Sequence, residues 1–102
     1  MRVLFFPVGE LPITKDIDGS LESMQAAVGD GLIQIAPIAR DLDLVCDEEG
    51  KFNGARANRV VPELHDVIFG PFFVMSHDGE GGNVGLNEPQ LARVRSRSWP
   101  AR

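Results

Sequence analysis

The sequence predicts an α+β domain, in which a mostly antiparallel sheet of about five or six strands carries one main helix and a short C-terminal helix. Three observations lead to this prediction. A capped amphipathic helix pattern runs from Ser20 to Gly29, and two neighbouring apolar segments follow it within residues 32–47. Strand-like apolar runs also occupy residues 2–8 and 72–76. At 102 residues, the chain is expected to form one domain with one core.

The first three elements are a predicted hairpin and the main helix. Residues 2–8 are apolar enough for a buried strand, and residues 11–17 alternate as a half-exposed strand would, so the two are predicted to pair. A helix follows over residues 21–28, with Ser20 as a good N-cap and Gly29 as a natural end. Its apolar stripe consists of Leu21, Met24, Ala27 and Val28.

The middle of the chain predicts a second hairpin followed by less regular structure. Residues 32–38 and 42–47 form the two antiparallel strands. Polar residues and glycine interrupt residues 52–61, which are therefore predicted to be a loop with local turns. Residues 62–65 predict one helical turn that begins at proline, and strand character returns over residues 67–77.

The last elements are predicted to be short. Residues 78–83 form a flexible loop, and residues 84–86 return as a brief strand. Asn87 is a good cap for a C-terminal helix. Residues 96–102 are expected to be frayed.

The charge distribution divides the chain into an acidic body and a basic tail. Residues 1–92 carry 6 basic and 15 acidic side chains, a net charge of −9, whereas residues 93–102 carry four arginines and no acid. The predicted organisation is therefore a single α+β domain over residues 1–92 and a basic C-terminal tail over residues 93–102. An acidic body repels phosphates, so nucleic-acid contact would have to use the tail or a local patch. The candidate partner-binding residues are Arg93, Arg95, Arg97, Trp99 and Arg102.

Composition also bears on membrane insertion and on cellular location. The longest apolar run, over residues 67–75, is far shorter than the roughly 20 residues of a spanning helix, so no membrane segment is predicted. The one cysteine, Cys46, excludes an internal disulfide and agrees with a cytoplasmic location. Its acidic neighbours would raise the pKa of its thiol, which favours a structural role over a nucleophilic one.

Several segments carry a family resemblance. They are residues 17–25, 44–51, 68–74 and 86–91, together with the pair Asn58-Arg59. Their order resembles a family of small phage and mobile-element proteins, domain of unknown function 3846, over about residues 2–92. The Asp-Gly-Ser-Leu-Glu and Asp-Glu-Glu-Gly-Lys stretches carry most of the match, and neither is a catalytic signature. The resemblance implies a phage, prophage or plasmid accessory gene whose product acts in the host cytoplasm, and it leaves residues 93–102 outside the match.

Two His-Asp dipeptides are the clearest hint of chemistry. Imidazole and carboxylate groups bind metals, and a strand could bring His65-Asp66 and His77-Asp78 together. Their spacing matches no established metal motif, so turn or strand-end roles are favoured. No metal, catalytic residue or cofactor is therefore predicted.

Two further groups have an ordinary structural interpretation. Residues 79–82 are glycine-rich but lack the lysine and helix of a phosphate loop, so they are interpreted as a hairpin loop. An acidic cluster lacks the residue order of a calcium loop and is interpreted as a solvated hairpin end, with imitation of DNA phosphates as a minor alternative. The cluster consists of Asp41, Asp43, Asp47, Glu48 and Glu49.

The leading functional hypothesis is a non-enzymatic accessory protein that binds and interferes with a host macromolecule, expected to be a protein, and that is toxic to the host. A sheet face or edge and the C-terminal tail would make the contact. One alternative is a small metal- or nucleotide-dependent enzyme using His65, Asp66, His77 and Asp78, and another is nucleic-acid binding through the tail. A homodimer is also expected, because one helix would leave much aromatic surface exposed. That surface comprises Phe5, Phe6, Phe69, Phe72 and Phe73.

Overall fold

The computed structural model describes residues 1–97 and 99–101 and confirms the predicted α+β class. Within these residues a single 3-10 turn at Pro62–Leu64 confirms the predicted helical turn. The helices and strands are β1 (Arg2–Phe6), β2 (Ile13–Asp16), α1 (Leu21–Val28), β3 (Ile33–Ala39), β4 (Leu42–Asp47), β5 (Ala57–Val61), β6 (Asp66–Phe69), β7 (Phe72–His77), β8 (Asn83–Val84) and α2 (Glu88–Arg95).

The main sheet is antiparallel and has the strand order β2-β1-β7-β4-β3, with β8 paired to the last two residues of β7. Both predicted hairpins, β1–β2 and β3–β4, are confirmed. A separate antiparallel pair is formed by β5 and β6. This order places β2 and β3 at the two edges of the main sheet. Among the described residues, no helix is long and apolar enough to cross a membrane.

The sheet has a core on each face, which makes the domain three-layered. On one face, α1 packs through Met24 and Val28 on side chains such as Val45 and Phe73. On the other face, the β5–β6 hairpin, α2 and the chain end cover the alternate side chains of the same strands. Because successive strand residues point to opposite faces, a central strand covered on both sides is buried along its whole length. This arrangement explains why every residue of β4 is buried.

Both helices begin and end at residues that satisfy backbone groups. The Ser20 side chain accepts a hydrogen bond from the backbone N–H of Ser23, and Gly29 ends α1 in a left-handed conformation with φ of 115°. Asn87 begins α2 with a capping box, in which its side chain accepts from the N–H of Gln90 and the Gln90 side chain accepts from the N–H of Asn87. The predicted ends of α1 and the predicted start of α2 are therefore confirmed.

The prediction of a loop over residues 52–61 is wrong at its C-terminal end, where β5 forms. Asn58 interrupts the apolar pattern, yet the residue is only 1% exposed. Its Nδ2 donates hydrogen bonds of 2.9 Å to the carbonyl oxygens of Phe6 and Gly70. A polar residue thus occupies a core position because it joins the β5–β6 hairpin to β1.

The expectation of a frayed C-terminal end is also wrong. Trp99 is 8% exposed, and its ring lies 5.3 Å from that of Phe6 and 6.0 Å from that of Phe72, measured between centroids. The Val60 N–H donates to the carbonyl of Pro100 at 2.9 Å, which adds the chain end to β5. Burial of an indole ring offsets the entropy of ordering these residues. The predicted division at residue 93 falls inside α2.

The aromatic surface behind the dimer prediction is covered within one chain. Phe6, Phe72 and Phe73 are buried, and Phe5 and Phe69 are half-buried. The second covering layer, which was not predicted, accounts for this. The homodimer itself stays a prediction.

Candidate functional site

The predicted partner-binding residue Arg93 is engaged within the chain. Its guanidinium binds both carboxylate oxygens of Asp41, at 2.7 and 3.0 Å. Gln90 donates to the same carboxylate at 2.9 Å. The Arg93 hydrogen bonds, followed by that of Gln90, lower the pKa of Asp41 to about 2. This ion pair joins α2 to the turn between β3 and β4.

Arg97 and Trp99 share one acidic partner, Glu63 in the 3-10 turn. The Arg97 guanidinium pairs with Oε2 of Glu63, and the indole Nε1 of Trp99 donates to Oε1 at 3.0 Å. Both contacts tie the chain end to the segment between β5 and β6. Much of the charge predicted for a basic tail is therefore neutralised by the acidic body.

Arg95 differs from these two arginines. It lies exposed on α2, where its Nη2 donates to the hydroxyl of Thr14 on β2 at 2.9 Å. Among the described residues it makes no ion pair. Arg102, the last of the predicted partner-binding residues, lies outside the described residues.

Arg95 and Trp99 line a cleft of about 210 Å³ between α2, β1 and the loop that precedes β2. We call it the Arg59 cleft. Its walls are apolar apart from two guanidinium groups, and Leu11 at its rim is 83% exposed. The lining residues are Phe6, Leu11, Pro12, Arg59, Val94, Arg95 and Trp99.

Arg59 is the unusual member of the cleft because its charge is buried, with the residue 7% exposed. Its Nη1 donates to Oδ1 of Asn58 at 2.7 Å, and its Nη2 donates to the carbonyl of Glu10 at 2.6 Å. The guanidinium carbon also lies 5.9 Å from the centre of the Phe6 ring. No carboxylate of the described residues pairs with it. Buried charges are ordinarily paired, whereas the partners of Arg59 among the described residues are neutral oxygens.

This arrangement suits an anionic group attached to an apolar one. A planar guanidinium binds carboxylate or phosphate oxygens strongly in a site of low polarity. Leu11 and Trp99, which also line the cleft, provide apolar contact beside it. The cleft thus combines one buried and one exposed positive charge in a chain of net charge −5.

The two His-Asp pairs do not form a common site. His65 ends the 3-10 turn in a left-handed conformation, and Asp66 pairs with Lys51. Nδ1 of His77 instead lies 3.1 Å from Oδ2 of Asp43, and Asp78 accepts hydrogen bonds from backbone N–H groups of its own loop. The described residues contain no group of three or more His, Cys, Asp or Glu side chains that could hold a metal. The shared metal site that the enzyme alternative requires is therefore not found among these residues.

The acidic cluster is divided among separate partners. Asp41 binds α2, whereas the buried Asp43 accepts hydrogen bonds from Asn83 at 2.7 Å and faces His77. Asp47 accepts from Nδ2 of Asn53 at 2.6 Å. These contacts give the three aspartates a structural role, whereas Glu48 and Glu49 are exposed, as predicted for a solvated hairpin end.

A second cleft, of about 120 Å³, lies beside Cys46 between β4 and β6. Its polar lining includes Lys51 and Asp66, which pair with each other. Burial, followed by the charge of Asp47, raises the pKa of the Cys46 thiol to about 11. The thiol is thus protonated at neutral pH, as expected of a structural cysteine.

Sequence patterns identified only part of the Arg59 cleft. They singled out Arg95 and Trp99, but Arg59 and Leu11 were missed. Arg59 lies next to Asn58 in a stretch that was predicted to be a loop. Buried and half-buried residues do not alternate regularly along β5, so its sequence does not indicate a strand. An exposed leucine before a strand is common on protein surfaces and carries no signal of its own.

The fold is that of a small three-layered α+β domain, and its described residues contain no recognisable catalytic constellation. The chain belongs to the family described as "Domain of unknown function (DUF3846)", which matches residues 1–98. The match includes Arg93, Arg95 and Arg97, so the expectation that residues from 93 onward lie outside it is wrong. No curated protein and no solved structure matches the chain.

Proposed function

We propose that this protein is a phage or mobile-element accessory protein that binds a host protein in the host cytoplasm and interferes with it without catalysis. The setting is supported by the resemblance carried by the Asp-Gly-Ser-Leu-Glu and Asp-Glu-Glu-Gly-Lys stretches. The Arg59 cleft is the contact surface, because it combines exposed apolar surface with accessible positive charge.

The observation that carries the proposal is the buried Arg59 without a carboxylate partner among the described residues. Burying a charge is costly, and a partner that brings a carboxylate would offset that cost on binding. Arginine beside aromatic side chains is also typical of the residues that contribute most to protein interfaces. Interference then follows by steric or competitive occupation of the host protein.

The two alternatives have less support. Direct nucleic-acid binding needs free positive charges, yet Arg93 and Arg97 bind carboxylates of the same chain. The metal-dependent enzyme needs His65 and His77 in one site, and no metal-binding group of His, Cys, Asp or Glu side chains is present among the described residues. A gel-shift assay at several salt concentrations tests the first alternative, because phosphate binding weakens steeply with salt.

Affinity purification from host lysate tests the proposed function. The wild type is compared with Leu11→Asp and Arg95→Glu, which change exposed residues of the cleft and leave the core intact. Phe52→Asp is the matched control, because Phe52 is 88% exposed and lies outside the cleft. We expect one host protein to be enriched by the wild type and by Phe52→Asp, and lost with both cleft variants. Equal recovery with all four proteins would contradict the proposal.

Toxicity is tested separately by induced expression in the host. We expect the wild type to slow growth and Leu11→Asp to relieve the effect at equal protein level, because the same surface causes both binding and interference. Normal growth with the wild type would contradict the proposed toxicity. Binding to a host protein would then be tested by the affinity purification alone.

A further inference from the structure

Resting on the proposed function, we further propose that the partner presents an extended acidic peptide, which pairs as an added strand with β2 and places a side-chain carboxylate in the Arg59 cleft. The inference concerns the chemistry of the bound segment. It begins from the free edge of β2 and the position of the cleft beside it.

The edge of β2 is open to pairing. β2 is the first strand in the order of the main sheet and pairs with β1 on one side only among the described residues. Its four residues, Ile13–Asp16, are all exposed. Their register with β1 has no bulge, so the outer backbone groups form a regular row for a further strand.

The opposite edge is blunted, which makes β2 the better choice. β3 contains Pro37, which has no N–H to donate, and its register shifts between Pro37 and Ala39. Proline and bulges on an edge strand prevent pairing with another chain. β2 contains neither, so the edge next to the Arg59 cleft is the one available for a peptide.

The cleft continues the β2 edge at its N-terminal end. Leu11 and Pro12 line the cleft and directly precede Ile13, the first residue of β2. Arg95 crosses from α2 to bind Thr14 within the strand at 2.9 Å. A peptide paired with β2 therefore lies close to Arg95, and its residue next to the N-terminal end of β2 lies at the cleft.

Charge selects an acidic peptide. Arg59 and Arg95 lie at the cleft without carboxylate partners among the described residues. Side chains of a strand alternate between faces, so every second residue of the peptide faces the Arg59 side of the sheet. A carboxylate at such a position meets the buried guanidinium, and Leu11 contacts its apolar neighbour.

The chain carries its own probe, because Trp99 is its one tryptophan and lines the cleft. The test titrates the full chain with a blocked six-residue peptide in which glutamate and valine alternate, and follows Trp99 emission. We expect a saturable change. The same peptide with glutamine in place of glutamate should bind at least tenfold more weakly, and Arg95→Met should lose about the same factor. Phe52→Ala, outside the cleft, should leave binding unchanged.

Arg59→Met is the more direct variant, and circular dichroism first establishes that it folds. If it does not fold, Arg95→Met and Leu11→Asp decide the question, since both alter exposed residues. Strand pairing is tested by amide hydrogen exchange, in which the amides of Thr14 and Asp16, which point away from β1, should become protected. A peptide with alternate backbone amides N-methylated should lose that protection.

Four results would overturn the inference. If the glutamine peptide binds as tightly as the glutamate peptide, the cleft does not recognise a carboxylate. If inorganic phosphate changes Trp99 emission as much as the peptide does, the cleft is a simple anion site. Self-association of the chain that blocks the peptide, detected by light scattering, would identify a second copy as the occupant. If a host protein is captured through Leu11 but the acidic peptide does not bind, the proposed function stands and this inference falls. If the peptide binds but no host protein is captured, the cleft's preference for an acidic peptide stands and the proposed function falls.

Discussion

Trp99 and Glu63 are joined by a hydrogen bond of 3.0 Å from the indole Nε1 to Oε1 of the carboxylate. The contact spans 36 positions of the chain and fixes the orientation of the indole ring against Phe6 and Phe72. One face of the sheet is thereby closed by the chain end, and the same ring forms part of the Arg59 cleft. Core and candidate binding surface are therefore coupled through a single side chain.

Trp99→Ala should destabilise the protein strongly. Removing a buried aromatic ring costs about 3–5 kcal/mol in the free energy of unfolding, through lost burial and the cavity left behind. Urea denaturation followed by circular dichroism measures the loss. The matched control, Phe52→Ala, removes a ring that is 88% exposed and should change stability by less than about 0.5 kcal/mol. Similar stability of the two variants would contradict a core position for Trp99.

Asn58→Ala should lower the free energy of unfolding by about 2 kcal/mol, because two buried carbonyl groups lose their donor. These are the carbonyls of Phe6 and Gly70. Asn53→Ala is the control, since this exposed asparagine donates its side-chain amide to Asp47 alone. Denaturant unfolding should show a clearly smaller loss for Asn53→Ala. A loss for Asn58→Ala no larger than for the control would mean that Asn58 does not join the two sheets.

The Asp41–Arg93 pair should make stability depend on pH in the acid range. The pKa of Asp41 is lowered from 3.8 to about 2 in the folded chain, so its contribution is present above about pH 4 and is lost as the pH falls through 2. Because the pair is partly exposed, we expect a contribution of only about 0.5 kcal/mol. Unfolding of the wild type and Asp41→Asn between pH 2 and 6 measures it.

The difference between these two proteins should therefore be largest above about pH 4 and should vanish near pH 2. Asp16→Asn, at an exposed position of β2, controls for the general effect of removing one acid from the surface. A difference for Asp41→Asn that stays constant over the whole range would contradict the lowered pKa.

Cys46 should react slowly with thiol reagents in the folded protein. Burial raises the pKa of its thiol from 9.0 to about 11. At pH 8 this shift reduces the reactive thiolate about 100-fold, and restricted access to the sulfur slows the reaction further. Ellman's reagent measures the rate in buffer and in urea, where the unfolded chain is its own control. Equal rates under the two conditions would show that the thiol is accessible and readily ionised.

Local signals predicted the elements whose determinants lie within a few residues. Ser20 and Gly29 delimit α1 because caps bind backbone groups of the helix that they end. β5 was missed because its buried Asn58 bonds to Phe6, which is 52 positions away. Periodicity cannot indicate a polar residue whose place in the core depends on so distant a partner.

Only part of the candidate site was predicted, because the rest of it also depends on contacts between distant residues. Arg95 and Trp99 stand out in the sequence as a basic and an aromatic residue close together. Arg59 becomes unusual only when burial removes water from its guanidinium, and burial depends on the packing of Glu10, Phe6 and α2 around it. Pairing of Arg93 and Arg97 with acids of the body likewise required the folded chain.

By itself, the sequence determined the α+β class, the two hairpins of the main sheet, the limits of α1 and the start of α2. Each depends on side-chain alternation, turn residues or caps that act over short distances. Only the tertiary structure decided that the sheet is covered on both faces, that Trp99 belongs to the core, and that Arg59 lies beside a free strand edge. Those features depend on contacts between distant segments, whose free energy comes from excluding water when the layers pack together.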